Sequence, residues 1–155
     1  MEANTIKNIF DFLEEKGEHR TPFLWKWKNN IPLTEEDLNV ESDLNFYKLE
    51  IKSLPKGLKV YGHLGLYKTN ITSLPKGLEV GGYLDLNDTK IKSLPKGLKV
   101  DGHLYIQYTK IKSLPEGLKV GGDLYIHATP LAKLSDEDIL SMIEPDGYIT
   151  REIIR

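Results

Sequence analysis

One eight-residue segment occurs four times at a spacing of twenty residues, and it constrains the fold more than any other feature of the chain. It appears as SLPKGLKV from Ser53, SLPKGLEV from Ser73, SLPKGLKV from Ser93 and SLPEGLKV from Ser113. No insertion separates one copy from the next, so each copy belongs to an equivalent structural unit. Short sequence periods of this kind are typical of repeat proteins, in which each unit packs only on its neighbours. The repeat therefore predicts a stack of coils.

Aligned on the Leu-Pro step, five units place apolar residues in fixed columns. No single unit can bury these side chains, whereas stacked units build one continuous core. The clearest columns are Val40, Val60, Val80, Val100 and Val120; Leu44, Leu64, Leu84, Leu104 and Leu124; Phe46, Leu66, Leu86, Ile106 and Ile126; and Ile51, Ile71, Ile91, Ile111 and Leu131.

The order L-x-L-x-x-T-x-I-x-x-L-P resembles the leucine-rich repeat, and the twenty-residue unit is similar to the short repeats of bacterial effector proteins. The resemblance covers residues 40–134. It implies a mostly-β fold of α/β type, a right-handed coil stack with one short parallel strand per turn. The family's asparagine column holds threonine here, and Leu49 in the first unit. Another β-solenoid is the alternative, because V-x-G-x-L-x-L alternates with a period of two.

The Leu-Pro-Lys-Gly step within each unit is expected to form a turn. Proline at the second position and glycine at the fourth favour a type I turn. Such a turn would close each coil on the side opposite the strand.

Residues 1–39 are predicted to form an N-terminal helical and aromatic cap on a single folded unit. A helix is expected from Asn4 to Gly17. The alternating segment Trp25–Lys28 predicts a short strand or extended stretch, and Thr34–Asp37 has the pattern of a capping box. Phe23, Trp25 and Trp27 would either complete the cap or form a second contact surface.

Residues 135–155 are predicted to form a C-terminal cap. Ser135 to Asp138 has the capping-box pattern and is expected to begin a helix that includes Ile143. Tyr148–Arg155 alternates as a short strand does.

The chain lacks the residues that several classes of function require. The chain has no cysteine, no glycine-rich phosphate loop and no grouping of Ser, His and Asp, so we expect neither an enzyme nor a cofactor. His63 and His103 would stand about 10 Å apart, too far to share a metal ion. The N-terminus does not resemble a secretory signal, and no run approaches the roughly 20 apolar residues of a membrane span. We expect a cytoplasmic protein, in the host cytoplasm if a phage encodes it.

Aromatic residues collect in the columns between the core positions, which point away from the core of a strand. Six of the eight tyrosines and three of the four histidines lie there. Tyrosine is favoured at interfaces, although aromatic ladders also stabilise sheets. We predict a partner-binding surface in these columns, formed by Tyr67, Tyr83, Asp85, His103, Tyr105, Tyr108, Tyr125 and His127.

Three functions remain after these exclusions. The first is a non-enzymatic protein-binding module that acts as a monomer, by resemblance a bacterial or bacteriophage effector or inhibitor of a host or defence protein. The second is a structural component that assembles with itself. The third is nucleic-acid binding along the lysine columns, because residues 44–134 carry fourteen lysines against seven acidic residues. Exposed lysines also keep a solenoid soluble, which is the simpler explanation.

Overall fold

The computed structural model describes residues 22–155, and the chain divides into two units, Met1–Asp37 and Leu38–Arg155. The helix expected between Asn4 and Gly17 lies outside the described residues. In the first unit, helix α1 spans Pro22–Lys28. The prediction of a strand at Trp25–Lys28 was therefore wrong. The ring centroids of Phe23 and Trp27 lie 6.0 Å apart, because a spacing of four residues brings both rings to one side of a helix.

The capping pattern at Thr34 is confirmed as a reciprocal pair of hydrogen bonds. The Thr34 hydroxyl accepts from the backbone N–H of Asp37 at 3.2 Å, and the Asp37 carboxylate accepts from the backbone N–H of Thr34 at 2.8 Å. The same carboxylate accepts from Lys26 Nζ at 2.6 Å. These bonds tie α1 to the turn that follows it.

The second unit is a mostly-β parallel solenoid with a period of twenty residues. Each repeat contributes two strands of two residues, and not the single strand that the sequence predicted. The first strands form sheet A in the order β1 (Asn39–Val40), β3 (Lys59–Val60), β5 (Glu79–Val80), β7 (Lys99–Val100), β9 (Lys119–Val120) and β11 (Tyr148–Ile149). The second strands form sheet B, from β2 (Leu44–Asn45) through β4 (Leu64–Gly65), β6 (Leu84–Asp85), β8 (Leu104–Tyr105) and β10 (Leu124–Tyr125) to β12 (Ile153–Ile154).

The register repeats without slippage, so every column of the sequence is a column of the structure. Val60 pairs with Val80 in sheet A, and Leu64 pairs with Leu84 in sheet B. The predicted core columns are buried almost throughout; Ile51, in the first repeat, stays partly exposed. Leu58, Leu78, Leu98 and Leu118 complete the core between the turn and sheet A. Between the two sheets, a bend brings Gly82 and Gly102 of successive repeats into contact. A Cβ atom on Gly102 would lie 2.8 Å from the carbonyl carbon of Gly82, so the coils could not stack at this spacing with a larger residue.

The repeated turn is displaced by one residue from its predicted position. The N–H of Leu98 donates to the carbonyl of Pro95 at 3.2 Å, so the turn begins at proline. Gly97 then occupies the third position with φ of +71°. A positive φ at this position is the signature of a type II turn, which requires glycine more strictly than the predicted type I turn does.

A second turn in each repeat follows sheet B and contains the threonine column. The hydroxyl of Thr109 donates to the carbonyl of Ile106 at 2.7 Å, and the Thr109 side chain is buried. The residue before each threonine has φ of 55° to 58°, although none is glycine: Lys68, Asp88, Tyr108 and Ala128. The threonine hydroxyl thus supports a turn that its neighbour adopts at a conformational cost.

The C-terminal segment continues both sheets. A 3₁₀ helix, Pro130–Lys133, precedes helix α2, Asp136–Ile143. As predicted, Ser135 begins α2, and its hydroxyl accepts from the N–H of Asp138. The strands β11 and β12 then add one strand to each sheet, pairing with β9 and β10. Within residues 22–155, no helix is long and apolar enough to cross a bilayer.

Candidate protein-binding face

The outer side of sheet B carries the tyrosines and histidines that the sequence singled out. We call this surface the aromatic face and define it by Tyr47, His63, Tyr67, Tyr83, His103, Tyr105, Tyr108, Tyr125 and His127. Core residues alternate with them along each repeat, so that Leu104 and Ile106 point inward on either side of Tyr105. The parallel register then places equivalent positions of successive repeats side by side.

The centre of the aromatic face is a cluster of rings from four consecutive repeats. The rings of Tyr105 and Tyr125 stack with centroids 4.5 Å apart, and those of His63 and Tyr83 stack at 4.0 Å. Tyr83 also meets Tyr105 edge-on at 6.0 Å. His103 lies 6.0 Å from both Tyr105 and Tyr125. The four predicted residues Tyr83, His103, Tyr105 and Tyr125 are therefore brought together.

Two smaller groups lie beside this cluster. Tyr67 stacks on Tyr47 at 5.3 Å, and Tyr108 meets His127 edge-on at 5.4 Å. The column that holds Tyr67 is interrupted in the next two repeats by Asn87 and Gln107. Their side chains bond to each other at 3.1 Å. The interruption separates Tyr67 from the Tyr108 group.

Exposure differs among the rings. Tyr108 is 60% exposed, whereas Tyr105 and Tyr125 are half-buried. Burial raises the pKa of Tyr105, and the neighbouring Tyr125 and Asp85 raise it further. A tyrosine hydroxyl is protonated at neutral pH even at its ordinary pKa, so the Tyr105 hydroxyl is a hydrogen-bond donor there and loses its proton less readily than an exposed tyrosine. Rigid rings that are partly desolvated and carry a polar hydroxyl are suited to a protein interface.

His63 and His103 also have a structural role that sequence reasoning missed. The Nδ1 atom of His63 accepts from the N–H of Tyr83, and that of His103 accepts from the N–H of Asp123, both at 3.0 Å. In the same way, Asp43 Oδ1 accepts from the N–H of His63 at 2.7 Å. The sequence column that contains these residues held a signal for this role, because aspartate and histidine both place a hydrogen-bond acceptor two bonds beyond Cβ.

The structure offers little for metal binding on this face. His103 Nδ1 lies 3.2 Å from Asp123 Oδ2, and the same nitrogen accepts the backbone bond described above. Across residues 22–155, no group of three or more His, Asp or Glu side chains could hold a metal ion.

The predicted second contact surface is in the first unit. Phe23 is 1% exposed, so its ring is not available at the surface. Trp25 and Trp27 are half-buried. A contact there would involve the two tryptophans, and it stays a prediction.

Compared with known proteins, the chain matches no family model, no curated protein and no solved structure.

The outer side of sheet A provides the contrast. In the four central repeats its outward column holds the half-buried charged side chains of Lys59, Glu79, Lys99 and Lys119, and the column continues to Asn39 at one end and Tyr148 at the other. Lys59 pairs with Glu79 at 2.9 Å, and Lys99 pairs with Asp101 at 3.3 Å. Charged side chains that pair within the chain are typical of a solvated surface. The two sheets thus present surfaces of different chemistry.

Proposed function

We propose that the chain is a non-enzymatic protein-binding module that contacts its partner through the aromatic face. The observation that carries the proposal is the central ring cluster, in which Tyr105 stacks on Tyr125 at 4.5 Å and meets Tyr83 at 6.0 Å. Aromatic residues concentrate in the energetically dominant parts of protein interfaces. Repeat proteins bind partners on the sheet surfaces that their stacked units create.

We propose further that the solenoid is a right-handed coil stack of the leucine-rich-repeat type. The support is the burial of the columns L-x-L-x-x-T-x-I-x-x-L, with threonine hydroxyls bonded to the backbone in place of the family's asparagine. By that resemblance, the chain would act in the cytoplasm as an effector or inhibitor that occupies a surface of a host or defence protein.

Catalysis is disfavoured by how the candidate groups are used. The Nδ1 atoms of His63 and His103 accept backbone hydrogen bonds that join successive repeats. A general base needs a lone pair directed at its substrate. Nucleic-acid binding stays the third candidate: Lys59, Lys96 and Lys99 pair with acidic side chains of the chain itself, which reduces the positive charge that they offer to a phosphate.

Capture from a cell extract tests the proposal. The double variant Tyr105→Ala with Tyr125→Ala should lose the proteins that the immobilised wild-type chain retains. Tyr148→Ala is the matched control, because Tyr148 is an exposed tyrosine on β11 of sheet A, and it should retain them. Equal retention by all three chains would overturn the proposal. Concentration-dependent mass of the purified chain would instead support self-assembly.

A further inference from the structure

The aromatic face contains a notch of about 480 Å³. Its lining comes from three consecutive repeats: Tyr67, then Asp85, Asn87 and Asp88, then Tyr108. Since β6 lies between β4 and β8, the middle repeat provides the floor and the flanking repeats provide the walls. Short side chains in the middle repeat create the depression between two larger aromatic ones.

The charge of Asp85 is not required by the fold. Asp85 Oδ1 accepts from the N–H of Asn87 at 2.9 Å, which closes a local turn. Two repeats earlier, Asn45 makes the same bond to the N–H of Tyr47, also at 2.9 Å. A neutral amide therefore performs the structural task equally well, and the negative charge of Asp85 needs another explanation.

The charge also opposes folding at neutral pH. Burial raises the pKa of Asp85, and the single hydrogen bond from Asn87 only partly offsets that effect. Within residues 22–155, no lysine or arginine forms an ion pair with Asp85. The ammonium group of Lys68 lies 3.8 Å from Asp88 and 5.2 Å from the centroid of the Tyr67 ring. The floor of the notch thus holds a partly desolvated carboxylate whose charge is unmatched.

The aromatic walls are suited to a cation. Lys68 already lies over the ring of Tyr67, 5.2 Å from its centroid, and outside the notch Lys48 lies in the same way over Tyr47, at 4.6 Å. Tyr108, on the opposite wall, is 60% exposed and leaves its ring accessible. The flanking repeats are about 9.6 Å apart, twice the strand spacing, which leaves room for one side chain between them.

We propose that the notch binds an arginine side chain of the partner protein. A guanidinium group is planar, stacks on aromatic rings and bonds a carboxylate through two N–H groups. Tyr108 provides the accessible ring and Asp85 provides the carboxylate, while Tyr67, with Lys68 over its ring, forms the opposite wall. The proposal rests on the protein-binding function of the aromatic face and adds the chemistry of what that face recognises.

Peptide titration of the ¹⁵N-labelled chain tests the proposal. The probe is an acetylated and amidated pentapeptide with one arginine between glycine pairs. Its controls have citrulline, which is neutral and nearly isosteric, or lysine in place of arginine. The arginine peptide should shift the amide signals of residues 85–88 and of Tyr108 in a saturable manner. The citrulline peptide should bind at least tenfold more weakly, and the lysine peptide several-fold more weakly.

Asp85→Asn should weaken binding of the arginine peptide at least tenfold. The variant keeps the bond to Asn87, as Asn45 shows, so it should unfold at the same denaturant concentration as the wild type or a higher one. Asp101→Asn is the matched control; it removes one exposed carboxylate outside the notch and should change the affinity less than twofold. Citrulline binding as tightly as arginine, or an unchanged affinity of Asp85→Asn, would overturn the proposal. Equal binding of lysine would overturn the assignment to arginine.

The two proposals can fail separately. If retention of partner proteins requires Tyr105 and Tyr125 but not Asp85, the aromatic face remains the interface and the notch proposal fails. If retention survives all of these substitutions, the proposed function fails as well.

Discussion

His63 and Tyr83 are joined twice across successive repeats. The Nδ1 atom of His63 accepts the backbone N–H of Tyr83 at 3.0 Å, and the two rings stack with centroids 4.0 Å apart. The imidazole must therefore be unprotonated at Nδ1 when it makes this bond, with its proton on Nε2. A residue of the aromatic face is thus also a structural link between coils.

Substitutions at His63 separate these two roles. His63→Asn should keep the link, because Asp43 Oδ1 bonds the N–H of His63 with the same side-chain geometry at 2.7 Å. His63→Ala should lose it and lower the free energy of unfolding by about 1 kcal/mol relative to His63→Asn. Denaturant unfolding followed by circular dichroism measures the difference, and ¹⁵N NMR of the imidazole checks the tautomer. Equal stability of the two variants, or a proton on Nδ1 of the neutral ring, would contradict the assignment.

Ala128 lies in the left-handed region, with φ of 55°, and its side chain is exposed. In this region the backbone of an L-residue is strained by roughly 1–2 kcal/mol, and glycine is not. Glycine stabilises the fold by less than that amount, because its unfolded state has more conformational entropy. Ala128→Gly should therefore raise the free energy of unfolding by about 0.5–1 kcal/mol. Ala132→Gly, in the 3₁₀ helix without positive φ, should lower it by about the same amount. Thermal unfolding checks both, and a loss of stability in Ala128→Gly would refute the turn geometry.

The buried hydroxyl of Thr109 donates to the carbonyl of Ile106 at 2.7 Å. Thr109→Val keeps the shape and removes the bond, so it should lower the free energy of unfolding by about 1 kcal/mol. Thr72→Val, at an exposed position, should change it by less than about 0.5 kcal/mol. Urea unfolding curves measure both changes, and an equal effect of the two substitutions would show that the hydroxyl does not stabilise the turn.

Asp37 makes the stability of the first unit depend on pH. Burial raises the pKa of Asp37, but hydrogen bonds from Lys26 and Thr34 lower it by more, so the pKa lies below the ordinary value of 3.8. The carboxylate therefore stabilises the fold above that pH, and the contribution is lost as the pH falls through the folded pKa. Asp37→Asn should be less stable than the wild type at pH 7, with the gap closing at strongly acidic pH.

Tryptophan fluorescence reports this change, because both tryptophans of the chain lie in α1. Glu36→Gln removes an exposed acidic group next to Asp37 and is the matched control. It should differ little from the wild type at either pH. If the stability difference between Asp37→Asn and the wild type stays constant from pH 7 to strongly acidic pH, the lowered pKa of Asp37 is contradicted.

Periodicity alone predicted the solenoid and its core, because columns such as Val60 and Val80 must lie together once the register is fixed. It did not predict two strands per repeat, since the bend at Gly62 depends on how closely neighbouring coils approach. Helix α1 was missed because an aromatic-lysine alternation also fits a helix when Phe23 and Trp27 pack on one side. The sequence did not reveal the column of residues with positive φ. Glycine usually marks such a backbone, and positions such as Tyr108 and Ala128 are not glycine.

The candidate site, too, was predictable from the sequence only in part. The sequence indicated which columns face outward and therefore that Tyr105 and Tyr125 would lie side by side. It could not show that Asp85 lies between two aromatic walls with its charge unmatched. That property depends on where Lys68 places its ammonium group, which the alignment of columns does not determine.

Site-specific photo-crosslinking tests the central claim most directly, because it reports contacts in the extract itself and keeps an aromatic ring at the substituted position. A photoreactive phenylalanine derivative at position 125 would lie on the aromatic face, and the same group at position 148 would lie on sheet A. In a cell extract, the account predicts a discrete crosslinked protein from position 125 and none from position 148. The same crosslinked product from both positions, or a product from position 148 alone, would contradict it.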